Sequence, residues 1–337
     1  MKRRKIASLF LLMIAILLLA GCTGQKGSNQ KSIEEIRVGI FLYNQDDMFI
    51  NDIMEQLDNG FREKEKKGDF KITFNFCDAK SSQTVQNDQI DKYIEMDYDV
   101  LCVNLVDRTD ASVIIDKAKK ADIPVMFFNR EPVSADMERW ENTYYVGVAA
   151  EDGGAFQGQI FLEQYEKNPD IDKNGDGIIQ YVMLEGEPGH QDTMIRTEAC
   201  IKTIQEAGVE LERLETYSAN WRRGLSKEIM EDWIEKYGDG IEVVFCNNDE
   251  MALGAVDAVM AKKIPEGSIK IIGLDGITEA LEAIRAGQML GTVLNDVNGQ
   301  VDAIIELAVA LGMGEEPRNI PYLQDDRTVR VPHKIIR

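Results

Sequence analysis

From Ile36 onward, short apolar runs alternate with longer stretches in which apolar positions recur every three or four residues. The runs IRVGIFLY (36–43), KITFNFC (71–77), DVLCVNLV (99–106), IPVMFFN (123–129) and YYVGV (144–148) predict strands. So do IIQYVML (178–184), LERLETYS (211–218), IEVVFCN (241–247) and IKIIGLD (269–275). The stretches between them predict helices, among them one ending near Lys66 and others over 83–96, 111–121 and 152–165. Strands that are apolar on both faces and alternate with helices indicate parallel sheets covered on both sides, an α/β fold. Some 300 residues exceed one comfortable doubly wound core, so two lobes are expected.

The N-terminus stands outside this alternation. Lys2, Arg3, Arg4 and Lys5 precede an apolar run from Ile6 to Ala20, broken by Ser8, and Leu19-Ala20-Gly21 puts small residues before Cys22. That order describes a secretory signal peptide over 1–21. The Leu-Ala-Gly-Cys ending resembles the lipobox of bacterial lipoproteins, which implies cleavage before Cys22 and lipid on its sulfur. Residues 22–34 then read as a flexible, lipidated tether. No other run approaches the length needed to span a bilayer. The mature chain is therefore expected at the extracytoplasmic face of the cell membrane, anchored to it and not crossing it.

Charge narrows the partners. The chain carries 38 Lys and Arg against 59 Asp and Glu, a net charge of −21. Removing residues 1–21 takes four basic residues and no acidic ones, leaving 34 against 59 and a net charge of −25. Such a balance repels phosphate backbones and argues against nucleic acid. Cys77, Cys102, Cys200 and Cys246 match no zinc or redox spacing and read as free, buried thiols.

The residues just after the strands carry the candidate chemistry, because ligands of α/β folds sit outside the carboxyl ends of the strands. Asp47 and Phe49 follow the first strand, and Asn104 lies within the end of the third. In the stretch YVMLEGEPGHQDTMIR, His190 precedes a helix on which Asp192 and Arg196 share a face. Trp221, Asn248, Asp275 and Asn295 stand at later strand ends. Each polar residue alone is more often a helix cap than a ligand. Together they combine planar carboxylates and amides, one Arg and two aromatic rings. Vicinal hydroxyls of a sugar suit such groups, and its C–H faces suit the rings. Separately, DKNGDGIIQ (172–180) places oxygen ligands at Asp172, Asn174 and Asp176, a Gly for the tight turn, the Ile178 carbonyl and Gln180, a pattern that suits calcium. An EF-hand would carry Glu where Met183 stands.

The runs QNDQID (86–91), NLVD (104–107), FFNREP (127–132), GEPGH (186–190), NND (247–249), GTVLND (291–296) and VRVP (329–332) carry a resemblance. Over residues 36–333 the chain resembles the bacterial periplasmic galactose/glucose-binding family, type 1 periplasmic binding proteins that serve as receptors of sugar ABC transporters. The resemblance implies two doubly wound parallel-sheet lobes joined by three hinge strands. Their boundaries would be 35–123 plus 297–331 and 125–294 plus 332–337, with crossings near 123–125, 295–297 and 331–333. It implies a monomer that binds D-galactose or D-glucose between the lobes and delivers it to an ABC permease. Asp47, Asn104, His190, Asp192, Arg196, Asn248, Asp275 and Asn295 would form the hydrogen-bond cage, with Phe49 and Trp221 stacking on the two ring faces. The missing carboxylate of a structural Ca2+ site would fall on Glu242.

Three other readings compete with this one. A sugar-sensing lipoprotein presenting hexose to a membrane kinase or chemoreceptor would look the same in sequence. A glycosidase would use paired carboxylates such as Asp192 and Asp275, but symmetric hydrogen-bond groups and stacking rings favour ground-state binding, which does not accelerate chemistry. A sugar-responsive repressor is disfavoured because the signal peptide stands where DNA-binding helices would be. The expectation is a binding protein without enzymatic activity.

Overall fold

The computed structural model of the protein describes residues 34–337. The signal peptide over 1–21, the lipidated Cys22 and the tether up to residue 33 lie outside the described residues.

Strands β1 (Glu34–Leu42), β2 (Phe70–Asp78), β3 (Val100–Val103), β4 (Val125–Phe128), β5 (Thr143–Val148) and β11 (Thr328–Val331) form one sheet in the order β2-β1-β3-β4-β5-β11. Its β1–β3, β3–β4, β4–β5 and β5–β11 pairs are parallel. Helices α1 (Met48–Lys67) and α10 (Val297–Gly312) cover one face, where Ile53, Leu57 and Phe61 share a core with Ile304 and Leu307. Helices α2 (Gln83–Glu95) and α3 (Ala111–Ala121) cover the other through Ile90, Ile114 and Ile115. The short α4 (Ser134–Met137) lies between β4 and β5.

The second sheet runs β7-β6-β8-β9, from β6 (Ile178–Glu185), β7 (Glu210–Ser218), β8 (Val243–Cys246) and β9 (Lys270–Ile272), also parallel. Helices α5 (Ala150–Lys167) and α6 (Gln191–Glu206) bury Ile160, Phe161, Cys200 and Ile204 on one face. Helices α7 (Arg223–Tyr237) and α8 (Asp249–Ala261) bury Met230, Trp233, Met251 and Ala255 on the other. The amphipathic α9 (Thr278–Arg285) adds Ala280 and Ala283 to that second core. Strands apolar on both faces are thus covered on both faces, as such sequences require.

Three connections join the lobes. The chain leaves the first sheet after β5 and enters α5, returns between β10 (Thr292–Leu294) and α10, and leaves again between β11 and β12 (Lys334–Ile336), which pairs antiparallel with β10. The crossing expected near 123–125 does not occur there. Val125 pairs with Leu101 on one side and Thr143 on the other, so β4 and β5 extend the first sheet and the crossing moves to Ala149. The physical reason is that both sheets use fully buried strands, so apolar patterning cannot assign a strand to a lobe.

The two lobes repeat one strand-to-helix turn. After β2, the Ala79 N–H donates to Leu42 O, and Lys80 and Ser81 take positive φ of 49° and 59°. After β7, the Ala219 N–H donates to Glu185 O, and Asn220 and Trp221 take positive φ of 50° and 62°. In the second lobe this turn carries an indole towards the space between the lobes, where the first lobe has a serine.

Candidate ligand-binding site

Nine of the ten residues expected at the ligand line one cavity: Asp47, Phe49, His190, Asp192, Arg196, Trp221, Asn248, Asp275 and Asn295. Tyr43, Ile50, Asn129 and Arg130 complete its lining. The cavity opens into a wider cleft of about 1120 Å³ that shares Tyr43, Asp47, Phe49 and Trp221 with it, so it has a route to solvent.

Capping and lining are the same act at three positions. Asp47 caps α1 by accepting from Ile50 N with Oδ1 at 3.1 Å, while Oδ2 accepts from the Tyr43 hydroxyl at 2.5 Å. Asn248 caps α8 by accepting from Met251 N at 3.0 Å, and its Nδ2 donates to Trp221 O at 3.4 Å. His190 caps α6 by accepting from Asp192 N with Nδ1 at 3.2 Å. A cap bond fixes a side chain's rotamer, so each group reaches the cavity already oriented. The His190 bond also places its proton on Nε2, which makes that nitrogen a donor.

Arg196 is the electrostatic centre. Its Nη2 donates to Asp192 Oδ2 at 2.7 Å and its Nη1 to Asn247 O at 3.0 Å, with both side chains of the ion pair buried. Burial pushes the Asp192 and Asp275 carboxyls above the usual range, and the Arg196 charge opposes both shifts. The Trp221 ring centroid lies 5.9 Å from the Arg196 guanidinium and 5.2 Å from the His190 ring, edge to face. Two glycines allow this arrangement. A Cβ at Gly154 of α5 would stand 2.8 Å from the Arg196 Cα, so α5 and α6 approach closely only because that position is bare. A Cβ at Gly186 would run into the Trp221 indole.

Asn104 stands behind the lining. It is fully buried, accepts from Tyr43 N at 3.2 Å, and donates to Phe128 O and Asn129 Oδ1 at 3.3 and 3.1 Å. Its amide ties the ends of β1 and β4 together. Asp249 is a strut that sequence reading left unassigned. It accepts from Thr292 Oγ1 at 2.7 Å and from Gly276 N and Ile277 N at 2.7 and 3.1 Å, which fixes the loop carrying Asp275. Its carboxyl is pushed up to about 6 by burial.

Both histidines of the chain are buried. Burial, with help from Arg130 and Arg196, drives His190 well below its ordinary value of 6.5, and burial with Arg196 lowers His333 to about 3. The unfolded chain then binds protons that the folded chain does not, so these groups leave stability intact above pH 6.5 and reduce it as pH falls towards 3. Histidine ring resonances in NMR are expected not to titrate between pH 8 and 5.5. A midpoint near 6.5 for either ring would contradict the neutral, donor-fixed imidazole at the site.

Two doubly wound lobes with a polar, ring-walled cavity between them define a bilobal binding protein. The chain belongs to the periplasmic binding protein family, whose domain model matches residues 38–316. It is 36% identical over 301 residues to the D-galactose/methyl-galactoside binding periplasmic protein of Haemophilus influenzae, covering 88% of each chain. A solute-binding protein of an ABC transporter from Bacillus halodurans, solved with bound myo-inositol, superposes with a TM-score of 0.73 at 26% identity, covering 91% of this chain and 96% of that one. The fold is shared with a periplasmic solute-binding protein of Actinobacillus succinogenes solved with D-allose, at a TM-score of 0.75, 21% identity, and coverage of 89% and 97%. These relatives are named as binding proteins.

Proposed function

We propose that the protein is the lipid-anchored, extracytoplasmic receptor of a sugar ABC transporter, binding D-galactose or D-glucose between its lobes and presenting the closed, loaded form to the permease. The observation that carries this reading is the convergence of Asp47, His190, Asp192, Arg196, Asn248, Asp275 and Asn295 on one cavity that Phe49 and Trp221 also line. Planar donors and acceptors satisfy hydroxyls, rings cover C–H faces, and an unpaired buried hydroxyl is costly, which gives selectivity. The likeness to the galactoside-binding relative supports the hexose assignment. Ligand held by groups from both lobes stabilises the closed state through differential affinity, which is all a receptor of this kind needs. We assign it no catalytic step: the groups bind, orient and exclude water.

The test is isothermal calorimetry of residues 23–337 against D-galactose, D-glucose, D-xylose and D-ribose. Micromolar or tighter binding of galactose or glucose is expected. Folded, ligand-free protein that binds none of the four would remove the sugar assignment.

The loop 172–180 fits a structural calcium ion by the chemistry of its donors. Asn174 Nδ2 donates to Asp176 Oδ2 and to Gln180 Oε1, at 3.0 and 3.1 Å, so these side chains already converge. Asp172 accepts from Gly175 N and Gly177 N, at 2.7 and 2.9 Å. The buried Glu242 accepts from Lys173 N and Gln180 N, at 2.6 and 3.0 Å. Among the described residues no three His, Cys, Asp or Glu side chains form a metal group, so the proposal leans on the amide oxygens and the Ile178 carbonyl. Calcium at about 100 times its Kd would add about 2.7 kcal/mol, a Tm shift of roughly 4 °C for a chain of this size. Chelation is expected to lower Tm while leaving sugar affinity nearly unchanged; identical melting curves would mean the loop is only a turn.

A further inference from the structure

Arg130 and Tyr43 line the cavity, yet neither belongs to the hydrogen-bond cage set out above. Both are buried. The Arg130 guanidinium lies flat enough on Tyr43 to put its carbon 3.6 Å from the ring centroid. The Tyr43 hydroxyl donates to Asp47 Oδ2 at 2.5 Å, and the other oxygen of that carboxylate is held by Ile50 N. Burial first, and the Asp47 charge second, push the Tyr43 phenol far above its ordinary value, so it remains a donor at any working pH. On its far side Arg130 donates from Nη1 to Val106 O at 2.9 Å. Its Nη2 donates to the Glu187 carboxylate. Arg130 follows β4 in the first lobe, whereas Glu187 follows β6 in the second. A second bond runs alongside, from Gln191 Nε2 to Asn129 O at 3.1 Å.

We propose that Arg130 and Tyr43 are a positioning pair for the ligand acceptor Asp47, and that Glu187 ties this pair to the opposite lobe. The inference rests on the receptor reading and deepens it. Fixing both oxygens of Asp47 leaves the lone pairs that face the ligand with one direction, which favours a hydroxyl of one configuration. Because the outer anchor of the relay sits on the other lobe, that orientation is best defined when the lobes are together. Closure and recognition are then coupled through four side chains, Glu187, Arg130, Tyr43 and Asp47. A lysine at 130 would keep the charge but lose the planar face and the paired N–H groups.

The experiment is a thermodynamic cycle on full-length mature protein, with galactose and glucose as probes in calorimetry. Tyr43→Phe keeps the ring and removes only the donor; one hydrogen bond is worth about five- to tenfold in Kd. The expected result is that Asp47→Asn costs clearly less in the Tyr43→Phe background than in the native chain. The ratio of galactose to glucose affinity should also move in Tyr43→Phe, because a misdirected acceptor discriminates less. Arg130→Lys and Glu187→Gln should reproduce that change of ratio in protein that still melts cooperatively. Independent, multiplicative losses for Tyr43→Phe and Asp47→Asn, or a native ratio in Tyr43→Phe, would overturn the positioning pair. A native ratio in Glu187→Gln would overturn the inter-lobe tie. Failure of the native protein to bind either hexose would instead refute the receptor reading.

Discussion

Arg196→Met is expected to abolish measurable sugar binding and to cost about 3–5 kcal/mol of stability, the penalty for breaking a buried ion pair by removing one partner. Arg196 and Asp192 are 4% and 6% exposed in their side chains, so no solvent is at hand to compensate the carboxylate. The same substitution leaves Asn247 O without its donor and removes the positive charge that opposes the raised carboxyl of Asp275. The pH dependence has a definite sign. Asp192 is already raised above its ordinary 3.8 by burial, and without Arg196 it rises further. A carboxyl raised in the folded state costs nothing below its unfolded value and progressively more as pH climbs through the folded value. Denaturant unfolding should therefore show a deficit that is large at pH 7.5 and shrinks towards pH 4. The double variant Asp192→Asn, Arg196→Met should recover part of the stability while binding stays lost. An Arg196→Met protein with native stability at pH 7.5 would mean the pair is solvated and does not organise the site.

The pattern of strands was legible because buried parallel strands write themselves as short, continuous apolar runs, and the site was legible because that fold puts ligands at strand ends. Asp192 and Arg196 could be placed on one helix face from spacing alone, with His190 just before the helix. The same reasoning, carried evenly, reaches Asn129, which ends IPVMFFN, Arg130, which follows it, and Tyr43, which ends IRVGIFLY; their types simply looked ordinary. What spacing could not tell was depth. Asn104 occupies a strand end like the others, but the crowding of β1, β3 and β4 turns its amide onto main-chain groups. Asp249 neighbours Asn248 in sequence, yet the helix turn sends it into the core to hold the Asp275 loop. The first crossing was misplaced for a related reason: strand grammar is identical in both lobes, and only pairing of Val125 with Leu101 and Thr143 decides membership. Long-range partners are the part of the fold that a local pattern does not encode.

Trp221→Ala should separate the ligand's wall from the fold. The indole is half-buried, packs over Gly186, meets His190 edge to face and lines the cavity, where a sugar ring would meet it. Losing such an aromatic anchor is expected to weaken hexose binding by about 2–3 kcal/mol, roughly 30- to 150-fold in Kd. Stability should change less, because the indole is only partly buried at the edge of the second lobe's core. The backbone supplies an internal control. Asn220 and Trp221 both hold positive φ, which costs an L-residue of the order of 1–2 kcal/mol, and the turn is kept closed by Arg222 N donating to Ala219 O at 2.9 Å. Trp221→Gly removes the ring and also relieves that strain, so it should bind as weakly as Trp221→Ala and unfold at least as late. Calorimetry with D-galactose and thermal melts of the two variants decide the matter together. If Trp221→Ala lost stability in the same proportion as affinity, the indole would be holding the second lobe together, and the ring-walled cavity would lose one of its two walls as evidence for a sugar.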